Sequence, residues 1–135
     1  MTNRIDMKGI GKSFFATRAL DDVNFSCVAG EVHALVGLNG AGKSTLMKIL
    51  GGVYQKDEGV IEHNGRPIEI TRPADAGAAG ISMIHQELSL INELTVAGNI
   101  FLGRELRRGS TPLLDKKEMA AQVGRELERF GLDID

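Results

Sequence analysis

The 135-residue sequence has no tryptophan, one tyrosine, three prolines and a single cysteine. With Cys27 as its one thiol it can form no internal disulfide, which suits a reducing cytosol. Cys27 lies in an alternating apolar stretch and reads as a small core residue. No window approaches the ~18–20 consecutive apolar residues of a membrane-spanning helix. The opening residues Met1 to Asp6 hold no apolar run resembling a secretion signal. Charge of one sign is also lacking. Sixteen basic against 18 acidic residues give a net charge of −2, which argues against a dedicated nucleic-acid binder. His33 and His63 fall on expected strands, and neither has a metal-ligating partner at a suitable spacing.

Glycine is abundant, with 17 residues against a usual share of ~7%. Many turns and close backbone approaches follow from that excess. Apolar residues make up 42% and charged residues 25%, an ordinary balance for one globular domain. Ile5–Ser13 and Leu20–Val28 read as extended segments, the second alternating at Val23, Phe25 and Cys27. Val32–Gly37 is a nearly continuous apolar run, expected to be a strand buried on both faces. Ser44–Leu50 carries a helical apolar pattern closed by Gly51-Gly52. Val60–His63, Asn64-Gly65 and Arg66–Ile70 predict a hairpin, because both central positions of its turn need positive φ. Pro73 and Gly80 bracket a short Ala-rich helix, and Ile81–Ile84 reads as one more short strand. Asp115 with Glu118 predicts a helix start, followed by Met119, Val123, Leu127 and Phe130 at helical spacing up to Gly131.

Gly37-Leu38-Asn39-Gly40-Ala41-Gly42-Lys43-Ser44 fits G-x-x-x-x-G-K-[ST] at every fixed position. It also stands between an apolar run and a helix start. Glycines there let backbone N–H groups converge on phosphate oxygens, and the following helix adds unsatisfied N–H groups and a positive dipole end. Residues 37–45, through Thr45, are therefore the candidate phosphate cradle. Lys43 would reach the β- and γ-phosphates, and the Ser44 hydroxyl would ligate Mg²⁺. A loop of this kind serves GTPases, kinases and transport ATPases alike; no N-K-x-D stretch follows it to read guanine.

Beyond the loop, the sequence resembles the ATP-binding cassette family, and within it the sugar-import ATPases of the ribose/galactose/arabinose type. The resemblance runs through Lys12-Ser13-Phe14, Ala19–Val23, Gly30–Gly37, the loop to Leu50, Gly80–Leu90 and Asn99–Glu105. Met83–Leu88 is the part most specific to sugar importers. It implies an α/β fold: an incomplete P-loop ATPase core with an antiparallel β subdomain in residues 1–86, then the Q-loop and the start of a helical subdomain in 87–135. Phe14 would stack on adenine, with Phe15 as second candidate and a plain core phenylalanine as the competing reading. Gln86 would ligate Mg²⁺ and sense the γ-phosphate, taking a catalytic role with Lys43; a solvated loop amide is its competing reading. His85 reads as a packing or backbone-bonding residue rather than a catalytic one. Glu87–Arg104 would line the groove for the membrane subunit's coupling helix, although Leu88, Leu90 and Leu94 fit a subdomain core equally.

The resemblance further implies ATP and Mg²⁺ as cofactors. Its partners would be transmembrane permease subunits, a second nucleotide-binding domain and, indirectly, a periplasmic sugar-binding protein. The location would be cytoplasmic, on the inner face of a bacterial membrane. Leu38 and Gly98 stand where these importers commonly carry Glu. Leu38 is expected to act through its backbone, and Gly98 to loosen its helix at a cost of ~1 kcal/mol. No signature motif, no apolar strand ending in Asp-Glu and no switch histidine follow. Residues 1–135 alone are thus expected not to turn ATP over, and to leave sheet edges open to strand exchange. Two other classes remain open, a cassette ATPase without a transporter and a non-catalytic nucleotide-binding module.

Overall fold

The computed structural model describes residues 3–85 and 90–132. The chain divides into two compact units, Met1–Ile84 and His85–Asp135.

The first unit is built on a four-stranded antiparallel sheet. Strand β1 (Arg4–Phe14) turns through Phe15-Ala16 into β2 (Thr17–Val28), and β3 (Glu58–His63) turns through Asn64-Gly65 into β4 (Arg66–Ile68). The order across the sheet is β2-β1-β3-β4. Asn64 and Gly65 have φ of 55° and 73°, the primed turn that Asn-Gly predicts. In β1, the register shifts between Met7 and Ile10, where Gly9 has φ 62°. That bulge is why two residues three apart both reach the core, against the two-residue period of a regular strand.

Helix α1 (Lys43–Leu50) lays Leu46, Ile49 and Leu50 into the same core as Met7, Ile10, Leu20 and Ile61. Helix α2 (Pro73–Ala78) adds Ala76. Its start is held by Asp75, whose carboxylate accepts from the backbone N–H groups of Thr71 and Arg72 and from the Thr71 hydroxyl. Cys27 is half-buried, on the same alternating face as Val23 and Phe25.

Two expected strands do not form. Residues 31–38 enter no sheet, and Val32, Val36 and Leu38 are almost fully exposed. Residues 81–85 also lack a ladder; Ile81 and Met83 are half-buried while Ile84 faces out. An apolar run makes a strand possible, but a buried strand needs hydrogen-bonding neighbours on both edges, and no described residue supplies them. His33 consequently lies outside any strand; its ring meets Phe25 edge-on at 5.2 Å.

In the second unit, α3 (Val96–Ile100) is capped by Thr95, whose hydroxyl accepts from Gly98 N–H at 3.1 Å. Asn99 ties the preceding turn down by four bonds, to Ile91 N–H and to the carbonyls of Ile91, Leu94 and Thr95. A Cβ at Gly98 would lie 3.3 Å from Leu94 Cβ and 3.4 Å from the Thr95 hydroxyl oxygen, a close approach at the turn. Leu90 and Leu94 are exposed rather than core residues, and Leu88 lies outside the described residues. Helix α4 (Lys116–Arg129) opens on Asp115, which accepts from Glu118 N–H at 3.1 Å. It buries Met119 and Val123, half-buries Leu127 and leaves Phe130 exposed.

Candidate functional site: a glycine loop at a helix start

The loop leading into α1 is shaped by three contacts. Leu46 N–H donates to the Gly42 carbonyl at 2.9 Å, starting the helix, and Ala41 N–H donates to the Leu38 carbonyl at 3.2 Å. The Lys43 ammonium folds back over the loop and donates to the carbonyls of Gly37 and Leu38, both at 2.8 Å. Gly42 caps the helix with φ 83°, a left-handed conformation that a side chain disfavours. A Cβ at Gly42 would stand 2.7 Å from the Ala19 carbonyl and 2.6 Å from Leu20 Cδ2. The loop therefore rests directly on the start of β2, and only glycine fits where they touch.

This arrangement leaves a set of donors unspent. Among the described residues, the N–H groups of Gly42, Lys43, Ser44 and Thr45 find no backbone acceptor. No acidic side chain occupies the first turn of α1, so nothing neutralises its positive end. Ser44 is exposed there, and no described residue hydrogen-bonds its hydroxyl. Converging N–H groups, an uncompensated helix end and one lysine are what an oxyanion such as a phosphate chain requires. An exposed hydroxyl in that first turn also suits a hard cation. Leu38 takes part through its carbonyl alone, its side chain facing outward. Asn39, Gly40 and Ala41 form the exposed crown of the loop.

The Phe15-Ala16 tip of the β1–β2 hairpin ends three residues before Ala19, or about 10 Å at the rise of a strand. It carries both aromatic candidates, in different states. Phe14 is half-buried, with its ring edge-on to Tyr54 at 5.1 Å and the Lys12 ammonium 5.5 Å from its centre. Phe15 is fully exposed and has φ 50°, unusual for a bulky residue. An anchor the sequence reading missed holds this end in place. The Asp57 carboxylate accepts from Lys12 Nζ at 2.6 Å and from Ser13 N–H at 2.7 Å, while Asp57 N–H donates to the Gly11 carbonyl at 2.9 Å. The lysine and then the amide hold that carboxyl below its ordinary range. An acidic residue just before a strand was the only signal for it.

Gln86 lies outside the described residues. His85 is exposed. His33 Nδ1 lies 3.2 Å from Glu31 Oε1, and His63 contacts the Asn3 side chain. No cluster of three or more potential metal ligands occurs among the described residues.

A glycine loop seated on a helix start, with its lysine folded across it, places the protein in the P-loop nucleotide-binding class. The sequence profile of the ABC transporter family matches residues 20–134. Curated relatives agree. The chain is 53% identical over 131 residues to a putative ribose/galactose/methyl galactoside import ATP-binding protein of Burkholderia cenocepacia, covering 97% of this chain and 26% of that protein. It is 52% identical over 131 residues to a ribose import ATP-binding protein of Geobacillus kaustophilus, with the same coverage. Among solved structures, a nucleotide-free ATP-binding cassette from an ABC transporter superposes with a TM-score of 0.78 at 29% identity, covering 96% of this chain and 55% of that one. The chain belongs to the ABC transporter family, as an α/β portion of its ATP-binding cassette. It spans about a quarter of the length of the curated relatives it matches.

Proposed function

We propose that this chain is the ATP-binding portion of an ATPase subunit that powers sugar import through a bacterial ABC transporter. The observation that carries the reading is the loop 37–45: donors left unspent at the start of α1, and Lys43 poised on two carbonyls. On binding ATP, Lys43 exchanges those carbonyls for the β- and γ-phosphate oxygens, and the N–H groups of residues 42–45 take the phosphate chain. Ser44 and Gln86 would hold Mg²⁺, which supplies positive charge to offset that on the phosphates. Phe14, or Phe15 at the hairpin tip, meets the adenine ring.

In this reading residues 1–86 are the β subdomain with the P-loop core, and residues 87–135 carry the Q-loop and the start of the helical subdomain. The full protein would work as a pair of nucleotide-binding domains on the cytoplasmic face of the membrane, against permease subunits. A periplasmic binding protein would deliver the sugar. The import relatives favour this over a cassette ATPase without a transporter. Residues 1–135 hold the cradle but not the family's later catalytic motifs, so they bind MgATP weakly at best and do not turn it over.

A calorimetric titration of the chain with MgATP tests the site. Saturable heat in the parent and none in Lys43→Ala is the expected pair of results. Equal binding by both proteins would refute the assigned cradle. Sustained phosphate release well above the Lys43→Ala control would refute the expected inactivity. Co-purification of the full-length protein with ribosomes or DNA, rather than with a permease, would refute the transport assignment.

A further inference from the structure

Helix α4 is preceded by a small hairpin whose chemistry the nucleotide site does not use. Arg107 and Leu114 face each other across an antiparallel bridge, closed by Arg108 N–H to the Leu113 carbonyl at 3.0 Å and Asp115 N–H to the Leu106 carbonyl at 2.7 Å. These bonds flank the Arg107–Leu114 pair, so it is the closely spaced kind, with its side chains adjacent. Arg108 and Leu113 project from the other side. Both leucines are exposed, and so are both arginines. Lys116 and Lys117, also exposed, follow at the first turn of α4.

Residues 107–117 therefore carry four cations against one acid, Asp115. That acid is committed to Glu118 N–H. The neighbouring Glu105 carboxylate is turned to backbone N–H groups, its own and that of Gly103, which together with the nearby charge of Arg107 hold it below its ordinary range. None of the four cations forms an ion pair among the described residues. Two of them stand at a helix end where positive charge is unfavourable. Charge placed against local preference, compensated only by the field between Arg107 and Glu105, marks a surface built for something outside the chain.

We propose that this hairpin and the first turn of α4 form a contact surface for an anionic lipid headgroup layer. The cations match its negative potential. Leu114 beside Arg107 and Leu113 beside Arg108, one on each side of the hairpin and both exposed, supply the apolar side chains that enter the headgroup–acyl boundary. A nucleic acid would use the cations but has no place for the exposed leucines. The inference shares with the proposed function only its membrane setting and needs no bound nucleotide.

Sedimentation of the chain with vesicles tests it, using phosphatidylcholine alone and an equal mixture with phosphatidylglycerol. The parent chain should partition onto the anionic vesicles and not onto the neutral ones. Each cation contributes about a fivefold effect at such a surface. The quadruple change R107Q/R108Q/K116Q/K117Q should therefore lower the partition coefficient by about two orders of magnitude or more. L113S/L114S should lower it by about tenfold or more while leaving all four charges in place. Raising the salt to about 1 M shortens the screening length to about 3 Å and should release the parent. K43A should bind vesicles like the parent, and the quadruple variant should bind MgATP like the parent, which separates failure of this surface from failure of the nucleotide site. Equal partition onto both vesicle types, retention by the quadruple variant, an unchanged L113S/L114S, or preference for an oligonucleotide over the anionic vesicles would each overturn the proposal.

Discussion

Replacing Gly42 with alanine combines two separable costs. The first is conformational: a φ of 83° is left-handed, and a side chain there costs about 1–2 kcal/mol. The second is steric. The new Cβ would sit 2.7 Å from the Ala19 carbonyl oxygen and 2.6 Å from Leu20 Cδ2. Leu20 belongs to the buried core, and the carbonyl belongs to β2, so neither yields cheaply. Overpacking of this kind adds about 1–3 kcal/mol, for a total of about 2–5 kcal/mol. Gly40 is the internal control. It has the same φ of 83° but nothing within 4 Å of its would-be Cβ, so Gly40→Ala should lose only the conformational part. Gly37 has no positive φ, and a Cβ there would make ordinary contacts at 3.6 and 3.7 Å. Gly37→Ala should therefore unfold within about 0.5 kcal/mol of the parent. Urea unfolding of the three variants, fitted by linear extrapolation, measures the ranking. Equal losses at positions 40 and 42 would refute the claim that the loop rests on β2.

Other perturbations reach the supports of the site. The Asp75 carboxyl is held to about 2 by the Thr71 hydroxyl, then Arg72 and the Thr71 N–H. A folded pKa below the unfolded value gives stability that is full above about pH 4 and is lost as pH falls toward 2. Asp75→Asn should flatten that part of the melting-temperature profile, and an unchanged acid slope would refute the role. The Phe14–Tyr54 edge contact should appear in a double-mutant cycle to alanine as a coupling of about 0.5–1.5 kcal/mol. In MgATP titrations, Phe14→Ala and Phe15→Ala identify which ring meets the base. A loss confined to Phe15→Ala would reassign that contact to the hairpin tip, and no loss in either would remove base stacking from the proposal.

What was legible in the sequence followed the range of its signals. Asn64-Gly65, Pro73, the Asp115–Glu118 start and the spacing of Met119 and Val123 are local devices, and the structure follows them. The motif from Gly37 to Ser44 was legible for the same reason, since its geometry needs only a helix start and a nearby strand. Val32–Gly37 and Ile81–Ile84 misled because apolarity records what a segment can bury, whereas a ladder depends on partners elsewhere. The β1 bulge that lets Met7 and Ile10 share one core was hidden, although Gly9 marked the place. Contacts between distant residues left little trace. Asp57 gripping Ser13 and Lys12 across 44 and 45 residues is the main example.

The loop is fastened at one end only. On its exit side Gly42 is wedged on β2 and α1 is rooted in the core, while on its entry side residues 32–36 enter no sheet among the described residues. An anion in the cradle would order residues 37–42, and a strand laid beside residues 32–36 would order the segment that leads into them. Whichever arrives first lowers the ordering entropy left for the second, so the two events reinforce each other. Thermodynamic reciprocity then requires that any factor by which strand pairing raises nucleotide affinity is the factor by which nucleotide raises pairing. An unpaired segment beside the cradle would thereby couple strand pairing to the binding of phosphate.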